Sequence, residues 1–129
     1  MIQPLANAKH ILVVEIDEHM GSALRYNLEC LGYRVTTQTN GLAAAECVQE
    51  GEFDLVTFDL DSPLSTGLAF VDILRSYHEQ LPVVLLSSNT LREQRYRGYK
   101  IAEEQFVVKP FDLDDLMKRV ADLTPTVSC

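Results

Sequence analysis

The chain is predicted to be an α/β protein with a parallel β-sheet covered by helices on both faces, and two observations predict this fold class. First, the spacing of apolar residues along the 129-residue chain switches repeatedly between strand-like runs and helical periods. Second, the strand-like runs are nearly continuous in valine, leucine and isoleucine, which is typical of strands buried on both faces. Five strands alternating with five helices predict a doubly wound (βα)5 sheet with right-handed crossovers.

Each element follows from local signals in the sequence. Gly32 ends the first helix as a C-terminal cap, Asn40 is a good N-cap for an alanine-rich second helix, and Asp112 is a good N-cap for the last. The fourth helix has few apolar positions at helical spacing, and we expect it to be the most mobile element. The predicted strands cover about residues 10–15, 33–38, 53–60, 82–86 and 105–108, and the predicted helices cover about 18–31, 41–50, 68–77, 90–101 and 113–123.

Length and composition indicate one folded domain. A chain of 129 residues with 47% hydrophobic and 23% charged residues has the size and composition of a globular domain. We expect the single domain to span residues 1–129, with a core over about 9–123, a short N-terminal arm and a tail that is unstructured from Thr124. No apolar stretch is long enough to cross a bilayer and the first residues do not resemble a signal peptide, so a cytoplasmic location away from membranes is expected.

The charge distribution narrows the range of partners. The net charge of −8 argues against direct nucleic-acid binding, because such binding needs clustered lysine and arginine. Basic residues are concentrated between Arg92 and Lys100, and we expect them to form part of a protein-binding surface. Cys30, Cys47 and Cys129 lack metal-ligand spacing and are expected to be small semi-buried side chains without a disulfide.

Polar residues with useful chemistry follow four of the predicted strands. They are Glu15 and Asp17 after the first strand, Asp59 after the third, Ser87 after the fourth and Lys109 after the fifth. Ligands of parallel sheets bind at the carboxyl ends of the strands, so these side chains are predicted to share one pocket. Crowded carboxylates favour a hard cation such as Mg²⁺, while a lysine and a hydroxyl can hold phosphoryl oxygens, although a strand-end serine also often satisfies loop backbone groups.

Several stretches match a known family in both identity and spacing. They are residues 11–15, Asp59 to Pro63, Gly67, residues 82–87 and residues 106–111, the last containing Lys-Pro-Phe after a strand. Together they resemble the receiver domain of two-component response regulators, over about residues 9–123. The resemblance implies a flavodoxin-like fold and a signalling switch that is not a turnover enzyme. It also implies a histidine kinase or phosphotransfer protein as the phosphoryl donor.

The resemblance assigns roles to the strand-end residues. Asp59 would be the phosphoacceptor, and Ser87 and Lys109 would contact the phosphoryl oxygens. Glu15, Asp59 and the backbone carbonyl of Asp61 would hold Mg²⁺.

The resemblance also locates the output of the switch. Phe106 would be the aromatic residue that moves with Ser87 on activation, although a packed core aromatic is an equally good interpretation. The face formed by the predicted fourth helix, fifth strand and fifth helix would bind a downstream protein, and a homodimer is also compatible with the resemblance.

Departures from the family pattern concern the acids. Ile16 stands where receivers usually carry a second acid that binds the metal, so the affinity for Mg²⁺ is expected to fall. Asp17 is a further candidate ligand, but an N-cap of the first helix is its alternative role. Asp61, two residues after the acceptor, is placed either to add a ligand or act on a water, or to remain a plain loop acid.

Two alternative functions remain open from the sequence. Ile16 also fits a degenerate receiver that works as a binding module without phosphorylation. Residues 58–61 resemble the nucleophile motif of haloacid dehalogenase-type phosphatases, with Asp114 and Asp115 as later acids, but these two fall within a predicted amphipathic helix. A flavodoxin-like nucleotide-binding function is disfavoured because no glycine-rich loop follows the first strand.

Overall fold

The computed structural model describes residues 8–61, 67–89, 101 and 105–125. Within these ranges the chain forms five strands and four helices. The strands are β1 (His10–Val14), β2 (Arg34–Gln38), β3 (Leu55–Asp59), β4 (Val83–Ser87) and β5 (Phe106–Val108), and the helices are α1 (Glu18–Cys30), α2 (Gly41–Glu50), α3 (Gly67–Tyr77) and α4 (Leu113–Leu123). The element α4 is the fifth of the predicted helices, because the helix predicted over 90–101 lies outside the described residues.

All strand pairs are parallel, and the sheet has the order β2-β1-β3-β4-β5. The predicted fold class is confirmed, and the predicted element bounds differ from the observed ones by at most two residues, which is within the usual fraying of element ends. Because β1 and β3 are neighbours at the centre and β4 follows beside β3, the carboxyl ends of β1, β3, β4 and β5 lie along one edge of the sheet.

Two apolar layers hold the sheet between the helices. Successive strand residues point to opposite faces, so Leu12 and Val14 of β1 pack towards α2 and α3, whereas Ile11 and Val13 pack towards α1 and α4. The rings of Phe58 and Phe70 stack with centroids 4.8 Å apart in the first layer. These central strands are fully buried, and they provide a rigid support for whatever follows their carboxyl ends.

Side-chain caps define where the helices begin. Asn40 accepts a hydrogen bond from Ala43 N at 2.8 Å and Asp112 accepts one from Asp114 N at 2.8 Å, as predicted for both residues. Gly32 follows α1 with a φ of 96°, a left-handed conformation that favours glycine at this helix end. No helix in the described ranges is long and apolar enough to cross a membrane.

Two details of the sequence predictions are wrong. Thr124 is buried rather than unstructured, because its hydroxyl donates to Val120 O at 2.8 Å and is hydrogen bonded to the Tyr33 hydroxyl at 2.9 Å. Cys30 is exposed on the outer face of α1, whereas Cys47 is half-buried as expected. Cys129 and the rest of the predicted tail, 126–129, lie outside the described residues.

The edge strand β5 has only three residues, but it is fixed at both ends. The buried side chain of Gln105 donates to Val83 O at 2.7 Å before the strand begins. Lys109 N donates to Ser87 O at 3.0 Å after the strand ends. These two hydrogen bonds hold β5 against β4 over a length that would otherwise be short for a strand.

Candidate functional site

The predicted strand-end residues meet at one edge of the sheet. Asp59 is the last residue of β3 and Ser87 the last of β4, whereas Glu15 and Lys109 directly follow β1 and β5. Glu15, Asp59 and Ser87 are all buried, with 5 to 7% of their surface exposed. Burying two carboxylates and a hydroxyl at one edge is costly unless they have partners, which makes this edge the candidate functional site.

Asp59 is held by contacts to both of its carboxylate oxygens. Lys109 Nζ lies 2.5 Å from Asp59 Oδ2, and Asp61 N donates to Asp59 Oδ1 at 2.8 Å. Burial alone would lower the pKa of Lys109, but the hydrogen bond and charge of Asp59, with the charge of Asp61, outweigh burial and raise it above its ordinary value. Lys109 therefore places a positive charge directly beside Asp59.

The Asp61 carboxylate contacts groups at the ends of two other strands, by hydrogen bonds at the end of β4 and by an ion pair after β5. Its Oδ1 accepts from Ser87 Oγ at 3.0 Å, and its Oδ2 accepts from Ser88 N at 2.9 Å and lies 3.3 Å from Lys109 Nζ. Burial opposes ionisation of Asp61, yet the hydrogen bonds from Ser88 and Ser87 and the charge of Lys109 make its pKa lower than usual. Asp61 is thus a half-buried, ionised part of the site and not a plain loop acid.

Glu15 is the least satisfied group of the site. Its Oε2 accepts from Asp17 N at 3.1 Å, but its buried Oε1 has no hydrogen-bond partner among the described residues. Burial raises the pKa of Glu15 to about 7, and a proton that it could share with Asp59 adds to this effect. Two ionised carboxylates cannot hydrogen bond to each other, so a shared proton or a bound cation would supply the partner that Glu15 Oε1 lacks among the described residues.

The residues between Glu15 and α1 do not complete a set of metal ligands. Ile16 is 44% exposed and offers no oxygen from its side chain. Asp17 Oδ1 accepts from His19 N at 2.8 Å and from Met20 N at 3.3 Å, which is the N-cap role weighed from the sequence. In the ranges that the structure covers, no three histidine, cysteine or acidic side chains are grouped so that they could hold a metal ion.

The remaining oxygen donors nevertheless fit Mg²⁺. The unpartnered Glu15 Oε1 is buried beside Asp59, and these two carboxylates offer oxygen donors of the kind that Mg²⁺ prefers. Mg²⁺ commonly uses one or two carboxylates and retains several waters, so it does not require three acidic side chains. Ile16 adds neither an oxygen nor a charge to these donors.

A cavity of about 560 Å³ adjoins the site. Its polar end is formed by Glu15, Asp17, Asp59, Ser88 and Lys109, and its apolar end by Met20, Ala23, Pro110, Phe111 and Leu113. Ser88 was not predictable from the sequence, because it contacts Asp61 through its backbone amide, a group that every non-proline residue has. Met20 and Leu113 are apolar residues at helical spacing, and that spacing does not reveal that the seam between α1 and α4 is open.

Other residues considered from the sequence lie away from this edge. Phe106 is half-buried and packs against the apolar layer on the α2 and α3 side of the sheet. Asp114 and Asp115 lie in the first turn of α4, where Asp115 forms an exposed ion pair with Arg119 at 3.2 Å. Neither acid borders the cavity beside Asp59, so the structure gives the phosphatase interpretation no second pair of acids.

The family of the chain is clear from its sequence matches. The family model of the response regulator receiver domain matches residues 11–121, so the chain belongs to the receiver domains of two-component response regulators. The chain is 37% identical over 117 residues to the response regulator protein PmrA of Pseudomonas aeruginosa, which covers 88% of this chain and 52% of PmrA. It spans about half the length of the curated relatives it matches.

Solved structures agree with this assignment. The non-phosphorylated HemR receiver domain of Leptospira biflexa superposes with a TM-score of 0.81 at 28% identity, covering 94% of this chain and 98% of that one. The response regulator TrrA of Thermotoga maritima, in complex with Mg²⁺-BeF, superposes with a TM-score of 0.78 at 29% identity, covering 89% and 98%. Receiver domains are signalling switches that bind Mg²⁺ in their active site, and they are not typical turnover enzymes.

Proposed function

We propose that this chain is a phosphorylation-dependent switch in which Asp59 accepts a phosphoryl group from the phosphohistidine of a histidine kinase or phosphotransfer protein. The observation that carries the proposal is the buried Asp59 carboxylate at the end of β3, with the Lys109 ammonium 2.5 Å from one of its oxygens. The Ser87 hydroxyl lies at the end of the neighbouring strand β4. A nucleophile, a cation and a hydroxyl donor are the parts that phosphoryl transfer to a carboxylate requires.

The transfer makes one bond and breaks another. A carboxylate oxygen of Asp59 attacks phosphorus, the bond between phosphorus and the histidine nitrogen breaks, and that nitrogen keeps the electron pair. Lys109 offsets the repulsion between the Asp59 carboxylate and the incoming phosphoryl oxygens, and the Ser87 hydroxyl donates a hydrogen bond to one of those oxygens. The product is an acyl phosphate on Asp59.

Glu15, Asp59 and the backbone carbonyl of Asp61 would hold Mg²⁺, with Asp17 as a further candidate ligand. The ion, when bound, neutralises negative charge on the phosphoryl oxygens. We expect a lower affinity than in receivers with two adjacent acids, because Ile16 supplies no charge. Asp17 contributes little to this set as long as its carboxylate caps α1.

Output is proposed to run from Ser87 through Phe106 to the surface of β5 and α4. Val108 of β5 is 49% exposed, so this edge of the sheet offers apolar surface to a downstream protein or to a second copy of the chain. The basic segment Arg92–Lys100, proposed to contribute to the same face, lies outside the described residues. The net charge of −8 makes direct nucleic-acid binding by this domain a poor proposal, and we propose that the domain, with a core over about 9–123, acts in the cytoplasm.

The test is phosphorylation by a small phosphodonor such as phosphoramidate, followed by intact mass at rising Mg²⁺ concentrations. We expect the native chain to gain one phosphoryl group, and the isosteric Asp59→Asn variant to gain none. Both proteins should show the same thermal unfolding cooperativity, so that lost labelling is not lost folding. A native chain that stays unlabelled at high Mg²⁺ would contradict the switch.

A phosphorylation-independent binding module is the second candidate. It is favoured by the exposed Ile16 side chain and by the unpartnered Glu15 oxygen, which together leave the metal side of the site incomplete. In this case the native chain and Asp59→Asn would bind the same downstream protein with equal affinity, and phosphodonor would not change that affinity.

A further inference from the structure

We propose that the carboxylate of Asp61 is a built-in substitute for the phosphoryl group, which occupies the phosphoryl-binding donors of the unphosphorylated protein and must be displaced when Asp59 is modified. This inference deepens the proposed function and rests on it. It concerns the side chain of Asp61, whereas the proposed metal site uses only the backbone carbonyl of that residue.

The contacts of Asp61 carry the inference. Its two carboxylate oxygens receive Ser87 Oγ at 3.0 Å, Ser88 N at 2.9 Å and Lys109 Nζ at 3.3 Å. In the proposed function, the Ser87 hydroxyl and the Lys109 ammonium are the two groups that contact the phosphoryl oxygens. The backbone amide of Ser88 is a third donor directed to the same anion.

Carboxylate and phosphoryl oxygens compete for such donors because both are anionic acceptors. Hydrogen bonds to an ionised acceptor are shorter and about twice as strong as neutral ones. The three groups around the Asp61 carboxylate are all donors, and one of them is the Lys109 ammonium. A phosphoryl group entering at Asp59 therefore meets donors that already have an anion.

The chain holds Asp61 in this place from its own backbone. Asp61 N donates to Asp59 Oδ1 at 2.8 Å, so the turn after β3 folds back onto the acceptor. The side chain then crosses to the ends of β4 and β5, where Ser88 and Lys109 are found. Because Asp61 is covalently tied two residues from the acceptor, its effective concentration at these donors is high.

Two consequences follow. The first is competition, because phosphorylation must exchange the Asp61 carboxylate for phosphoryl oxygens, which lowers the affinity for the phosphoryl group. The second is preorganisation, because Ser87 and Ser88 already face an anion before phosphorylation and have less far to move. The unphosphorylated protein is thus expected to resemble the activated arrangement at the end of β4.

The competition is tested with beryllofluoride at saturating Mg²⁺ on the full chain. We expect Asp61→Ala to bind the probe about tenfold more tightly than the native chain, the gain that corresponds to freeing one charge-assisted set of donors. Asp61→Asn should change the affinity in the same direction by less, since its amide oxygen is a weaker acceptor. Glu18→Gln, which removes one charge at the exposed start of α1, is the matched control and should stay within twofold of the native chain.

The contact itself is tested without probe or metal by the amide NMR spectrum. The Ser88 amide proton should shift upfield in both Asp61 variants and not in Glu18→Gln, because only the Asp61 variants lose its anionic acceptor. An unmoved Ser88 amide would overturn the inference whatever the probe does. If Asp61→Ala and the native chain bind beryllofluoride with equal affinity, the inference is also overturned, but the proposed function stays intact. If no variant binds beryllofluoride although the Ser88 amide shifts as expected, the proposed function and the competition are overturned together.

Discussion

The two halves of the site differ in how completely their polar groups are satisfied. On the side of β4 and β5, Ser87 and Lys109 both contact the Asp61 carboxylate, and Lys109 also pairs with Asp59. On the side of β1, a buried oxygen of Glu15 has no partner among the described residues, and Ile16 presents an exposed apolar side chain. The polar groups on the β4 and β5 side are therefore paired with one another, whereas the β1 side keeps a buried oxygen without a partner among the described residues.

The sharpest way to break this comparison is to remove the charge of the satisfied half. Lys109→Met keeps the length of the side chain but leaves Asp59 and Asp61 without their shared cation. We expect the rate of phosphorylation by phosphoramidate to fall about a hundredfold, the usual scale for losing one charged donor at a transition state. Lys118→Met on the exposed face of α4 is the control and should react like the native chain, and a Lys109→Met rate within threefold of native would show that the pairing is only structural.

Repair of the incomplete half should have the next largest effect. Ile16→Asp adds a carboxylate beside Glu15, and we expect Mg²⁺ affinity measured by calorimetry to rise about tenfold or more from the added charge. Ile16→Asn, of similar size but neutral, separates charge from loss of the apolar side chain and should give a much smaller rise. Equal Mg²⁺ affinities in the native chain and Ile16→Asp would mean that the ion does not need a ligand at position 16.

The pKa of Glu15 predicts a pH dependence in the metal-free protein. The folded-state pKa is raised from 4.5 to about 7, so the folded chain binds the proton more tightly than the unfolded chain does. The contribution of Glu15 to the free energy of unfolding is therefore fully present below pH 4.5 and is lost as the pH rises through about 7. The free energy of unfolding, measured with urea across this pH range, should fall less steeply with pH for Glu15→Gln than for the native chain. For Glu46→Gln, a change at an exposed position, it should fall as steeply as for the native chain.

The smallest expected effect concerns Asp17. Asp17→Ala should cost about 1 kcal/mol of stability through loss of the N-cap of α1, measured by chemical unfolding. Mg²⁺ affinity should not change, since the carboxylate of Asp17 is occupied by backbone amides. Asp17→Asn retains a cap and should be close to native in both measurements, and a clear drop in Mg²⁺ affinity in either variant would identify Asp17 as a ligand.

The fold and the membership of the site were predictable because they depend on local signals. The spacing of apolar residues and the cap residues Asn40 and Asp112 predicted the order of strands and helices. The rule that ligands bind at the carboxyl ends of parallel strands then predicted that Asp59, Ser87 and Lys109 share one edge. The direction of the Asp61 side chain was not predictable, because it depends on donors that come together only when β3, β4 and β5 pair. The open seam between α1 and α4 depends likewise on how two distant helices pack.

The hydrogen bond from Gln105 to Val83 O has a consequence for the placement of charge. A shift of β5 by one residue against β4 would turn every side chain of the strand to the opposite face and reposition the residue that follows it. A three-residue edge strand has few ladder bonds to prevent such a slip, and the amide of Gln105 supplies an anchor that only one register satisfies. The position of the ammonium beside the acceptor is thus set from the far end of the strand, by a residue that never meets the ligand.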